Sequence, residues 1–105
     1  MSTISKNTIK CIETLYSEEK YPEIVKCLEE YCEFLKSYEM KGNLDRFCFA
    51  VLKMSIIRGK GHINKLYKAI ELGKTDYRDL LVAAGFGNDV NIHKKWFSKI
   101  IQGET

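Results

Sequence analysis

No stretch of the 105 residues approaches the roughly 20 consecutive apolar positions that a membrane span requires. The densest apolar segment, 47–57, is interrupted by Lys53 and has the length of a buried core helix. Residues 1–7 hold neither a long apolar run nor a small-residue cleavage site, so they do not read as a secretory signal. The expectation is a cytoplasmic protein with no membrane attachment. Histidine is scarce as well, with only His62 and His93, and neither stands at zinc-ligand spacing from the cysteines. His-x-x-x-His, Gly-x-Ser-x-Gly and Walker loops are all missing. Glu30 and Glu33, like Asp76 and Asp79, form carboxylate pairs, but a di-metal bundle needs Glu-x-x-His on at least two helices, and there is none. These gaps remove the common hydrolytic, phosphoryl-transfer and metal chemistries. The chain is therefore expected not to be an enzyme and to carry no cofactor and no metal.

Cysteine is present four times, at 11, 27, 32 and 48, without a Cys-x-x-Cys pair. Each falls on or beside the apolar stripe of an expected helix, which reads as buried free thiol rather than as a disulfide framework. Proline occurs once. Pro22 disfavours a helical Tyr21 and presets the first turn of a new helix.

What remains is a chain with 45% hydrophobic and 30% charged residues, enough to bury a core within one domain spanning 1–105. Ile4, Ile9, Ile12, Leu15 and Tyr16 recur at helical intervals and predict a first helix over 4–17, capped by Ser2 or Thr3. Ile24, Val25, Leu28, Tyr31, Cys32, Leu35 and Tyr38 predict a second helix, stopped at Gly42-Asn43. The segment 44–57, opened by Asn43 or Asp45, is apolar nearly all round, which places it in the middle of a bundle. Ile63, Leu66, Tyr67 and Ile70 mark a fourth helix closed at Gly73. A fifth covers 77–84 after a Thr75 cap. A sixth, opened by Asp89 or Asn91, turns Trp96, Phe97, Ile100 and Ile101 inward. The fold class expected is all-α, a compact single-domain bundle of five to six helices with short connections. The turn between helices one and two has a tetratricopeptide outline, but no second copy follows near 43–72, and a solenoid needs about three.

The net charge of +3 conceals an uneven distribution. Residues 1–45 carry six lysines against nine acids, a net −3, and residues 46–105 carry eleven basic residues against five acids, a net +6. Glu19, Glu23, Glu29, Glu30 and Glu33 cluster on and just before helix two and form a candidate partner-binding face. Arg58, Lys60, Lys65 and Lys68 cluster around the Gly59-Lys60-Gly61 turn and form a candidate phosphate-binding patch, extended by Lys53 and by Lys94, Lys95 and Lys99. Two functions fit these patches. In the first, a small protein-binding module of the immunity or antitoxin type neutralises a basic, nuclease-like toxin through the acidic face. The alternative is an accessory nucleic-acid-binding module that uses the basic half, 53–99.

Overall fold

The first helix begins at Ser5, whose hydroxyl oxygen accepts the Thr8 amide at 3.1 Å. The structure, a computed structural model, describes residues 4–38, 44–87 and 91–103, so the expected caps Ser2 and Thr3 lie outside it. Ser5 takes the role because its hydroxyl also donates to Asp45, at 2.6 Å, and Thr8 donates to the same carboxylate at 3.2 Å. That carboxylate therefore ties α1 (Lys6–Leu15) to the first turn of α3 (Leu44–Met54) instead of capping its own helix. The other expected cap of α3, Asn43, and the Gly42-Asn43 stop lie outside the described residues.

A 3₁₀ turn (Glu18–Lys20) runs directly into α2 (Tyr21–Ser37). Tyr21 is helical, at φ −54° and ψ −49°, which corrects the expectation drawn from Pro22. Its amide bonds back to the Glu18 carbonyl and its hydroxyl donates to the Glu13 carbonyl at 3.3 Å, so tertiary anchoring overrides the local bias. Pro22 sits in the first turn, where its missing N–H costs no helical bond.

α3 stops at Met54, three residues short of the expected end. Ser55 lies buried with its hydroxyl donating to the Leu52 carbonyl at 2.6 Å and accepting from Tyr16 at 2.7 Å. Ile56–Ile57 (β1) then pairs antiparallel with Lys60–Gly61 (β2), Ile56 opposite Gly61. The two-residue turn between them has positive φ at both positions, 53° at Arg58 and 82° at Gly59, as a tight hairpin of right-handed twist requires. Gly61 is pressed on the Tyr16 ring, where a Cβ would come within 2.3 Å of ring carbons.

α4 (Ile63–Thr75) continues through Gly73 instead of closing there. Gly73 is buried because a Cβ at this site would meet the Tyr31 hydroxyl at 2.1 Å and Leu80 at 2.9 Å. The glycine lets α2 approach α4 and has no terminating role. The cap of α5 (Tyr77–Ala83) is Asp76, whose carboxylate accepts the Arg78 and Asp79 amides at 3.0 and 3.3 Å. Thr75, the expected cap, is still in α4 and donates to the Glu71 carbonyl. α5 ends in a Schellman motif: the Phe86 amide bonds to the Leu81 carbonyl and the Gly85 amide to that of Val82, with Gly85 at φ 82°. α6 (Ile92–Ile101) starts after Asn91, whose carbonyl accepts the Lys94 and Lys95 amides; Asp89 lies outside the described residues.

The six helices and the two-strand hairpin give an all-α bundle with a radius of gyration of 12.3 Å, against about 13 Å for a compact chain of this length. α3 touches all five other helices, and six consecutive residues on it, 47–52, are buried. This agrees with its apolar pattern, since a helix without a polar face must be surrounded. α1 packs on α6 as well as on α3. The connection after α5 is pinned to α3 by two cations: Arg46 donates to the Phe86 carbonyl at 2.5 Å and Lys53 to that of Ala84 at 2.7 Å. Inward placement fails for two expected residues, since Tyr38 is 65% and Ile101 40% exposed. Among the described residues no helix is long and apolar enough to cross a membrane.

Candidate functional site

Ile24, Leu28, Tyr31, Cys32 and Leu35 are the buried residues of α2, so the opposite side of the helix is presented outward on a fixed support. Glu19, Glu23, Glu30 and Glu33 are exposed, and Glu29 is half-buried. The five acids do not form one uniform patch. Glu23 and Glu30 are seven residues apart and share the edge that carries Cys27 and Phe34, whereas Glu29 shares the other edge with Lys36. Two acids already have internal partners. Glu23 accepts a short hydrogen bond from the Tyr67 hydroxyl of α4, which keeps that phenol protonated well above its usual range. Glu33 pairs with Lys36 at 3.8 Å, the one ion pair among the described residues. Cys27, on this edge, is half-buried, and burial raises its thiol pKa with smaller help from Glu30 and Glu23. Lys26 lies on the same outer side and partly offsets the acids. Glu19 and Glu30 remain as exposed acids with no cationic partner among the described residues, with Glu33 held by Lys36 and Glu23 at the rim.

The basic residues separate differently. A groove of about 790 Å³ opens where the end of α1, the hairpin and the start of α4 meet. Lys20, Lys60, His62 and Lys65 line it together with Tyr16 and Asn64, and no carboxylate does. His62 holds the cap position of α4 in extended conformation; its carbonyl accepts the Leu66 amide, but its side chain makes no cap bond. The first residues of α4, 63–65, line the groove with no side-chain cap on their amides, and the positive end of the helix adds to the lysines. Of the four basic residues singled out from sequence, Lys60 and Lys65 line the groove. Arg58 projects from the hairpin tip and Lys68 from the outer side of α4, both exposed and outside the lining. Lys53 leaves the patch altogether: its ammonium lies 5.1 Å from the Phe86 ring centre and serves the α5 connection. His62 belongs to the basic turn that the sequence shows, whereas Lys20 escaped because it lies 40 residues before Lys60 in an acidic stretch and joins the groove through the approach of Tyr16 to Gly61.

His93 is buried in the core, with its ring 5.8 Å from that of Phe49 and 6.3 Å from that of Phe86. Cys11, Cys32 and Cys48 are buried and Cys27 half-buried, all four as free thiols. Burial and the Asp45 carboxylate push the Cys11 thiol up to about 12, far from a reactive thiolate. Among the described residues no three His, Cys, Asp or Glu side chains gather to hold a metal. A smaller hollow of about 470 Å³ at the far end of α2 is lined by Phe34, Tyr38 and Tyr77, with Lys74 over the Phe34 ring. Comparison of the chain with protein-family models, with curated proteins and with solved structures gives no match.

Proposed function

We propose that the chain is a small binding module whose acidic α2 surface docks on a basic protein, in the manner of an immunity protein or antitoxin that covers the nucleic-acid cleft of a nuclease-like toxin. The observation that carries this reading is an exposed acidic surface over the 3₁₀ turn and α2, on which Glu19 and Glu30 have no cationic partner among the described residues, backed by the buried inner face of α2. An exposed helix face suits a basic cleft, and a packed core behind it lowers the ordering cost of association. Uncompensated charge speeds encounter with a partner of opposite sign. Exposed Tyr38 and Tyr77, beyond the end of the acidic stretch, supply aromatic surface of the kind that anchors protein interfaces. The role requires no catalysis. Reversing Glu19, Glu30 and Glu33 to lysine is expected to slow capture of a basic partner by about tenfold or more at low salt. Far-UV circular dichroism should stay unchanged, because these side chains hold no core contact. Capture at the wild-type rate would end this reading.

A second reading rests on the groove. Its cationic lining and open amides suit phosphate groups, which favours an accessory nucleic-acid-binding role for the basic half. Filter binding of a mixed-sequence single-stranded oligonucleotide should weaken steeply with salt. The salt slope should fall by about one unit for each phosphate-contacting lysine neutralised, tested with Lys60→Gln and Lys65→Gln. Absence of binding at low salt would remove this reading and leave the first intact.

A further inference from the structure

The Sγ atoms of Cys32 on α2 and Cys48 on α3 lie 3.5 Å apart in the core, and neither residue is more than 1% exposed. The two sulfurs are in direct contact, about 1.5 Å beyond the S–S bond length of about 2.05 Å, with no other group between them. We propose that Cys32 and Cys48 are an oxidation site, converted by a small peroxide into a disulfide that staples α2 to α3.

Burial selects the oxidant. A thiol attacking a bulky disulfide would have to accommodate a mixed-disulfide adduct in close-packed surroundings, whereas hydrogen peroxide is little larger than water. One thiol gives its sulfur electron pair to a peroxide oxygen, the O–O bond breaks, and sulfenic acid and one water form. The second thiol then attacks that sulfur, the S–O bond breaks, and a second water leaves. In sum, two thiols and one hydrogen peroxide give one disulfide and two waters, with both sulfurs oxidised and the peroxide reduced. The hydrogen bond with Cys32 and burial hold the Cys48 thiol protonated well above its usual range, so it rests in the reduced form until an oxidant reaches the core. Cys11 is the remaining buried thiol, and Cys27 is the one open to larger reagents.

The test treats the folded protein, in a Cys27→Ser background that removes the accessible competitor, with hydrogen peroxide. Intact mass and a non-reducing peptide map are then recorded. The expected product has lost two hydrogens, yields one cross-linked peptide joining Cys32 to Cys48, and reverts with a thiol reductant. Its unfolding midpoint should rise by several degrees, because the cross-link restricts the unfolded chain between consecutive helices. Addition of oxygen atoms without a cross-linked peptide would overturn the proposal, as would a cross-link through Cys11. So would a native protein inert to peroxide while the denatured one oxidises.

Discussion

Replacing Phe49 by alanine should cost about 3 to 5 kcal/mol, a large share of the 5 to 15 kcal/mol that hold a typical domain folded. Phe49 projects from the central helix and stacks on Phe97 of α6 with ring centres 5.2 Å apart and planes 5° off parallel. Trp96 and His93 of the same helix pack at 5.9 and 5.8 Å. Phe86 adds ring contacts to His93 and Trp96 at 6.3 and 5.9 Å, so the cavity left by truncation lies at the joint where Phe49 and Phe86 together seat α6. The midpoint of thermal unfolding should fall by more than about 10 °C. Trp96 is the only tryptophan, so its emission reports this joint directly and should move to longer wavelength in the variant before global unfolding. A loss below about 1 kcal/mol with unchanged emission would show that α6 is not seated on Phe49.

Gly73→Ala reverses the sign that helix propensity assigns. In an exposed helix interior this change stabilises by about 1 kcal/mol. Here the added Cβ meets the Tyr31 hydroxyl at 2.1 Å and its ring carbon at 2.8 Å, and Tyr31 is fully buried, so overpacking of about 1 to 3 kcal/mol should win. The same hydroxyl has no hydrogen-bond partner among the described residues. Tyr31→Phe therefore removes an unsatisfied buried group and should be neutral or stabilising. Combining the two should recover part of the loss, giving a coupling of about 1 kcal/mol in a double-mutant cycle read by chemical denaturation. The recovery is partial because Leu80 still stands at 2.9 Å. A stabilising Gly73→Ala would mean that α2 and α4 are not in this close contact.

The helices were legible in the sequence because the apolar spacing along α2 and the all-apolar α3 are direct imprints of which sides are buried. Their ends were less so. Gly73 carries the letter of a stop signal, yet the structure uses its lack of a side chain for helix packing. Asp76 displaces Thr75 as cap, and Ser5 is recruited by an aspartate 40 residues away. The first is a local contact one residue along from the expected cap, and the second depends on a contact that no local pattern encodes. The hairpin was hidden because two-residue strands are too short to show alternation. For the charged surfaces, sequence named chain segments but not their neighbours in space. Lys53 and Glu23 are taken up by internal partners, and Lys20 joins the groove from a distant acidic stretch.

At residue 58 the hairpin holds an arginine in the left-handed region, where an L-residue with a long side chain is disfavoured and asparagine or glycine is at ease. No other described non-glycine residue is so placed. The turn thus works against its own local preference and carries a guanidinium at the tip of the only β-structure described. It is the point where amino-acid choice and backbone shape are in open conflict. A chain drifting under selection for stability alone would lose that arginine early, so its persistence across variants would be a gauge of how much the tip's positive charge matters.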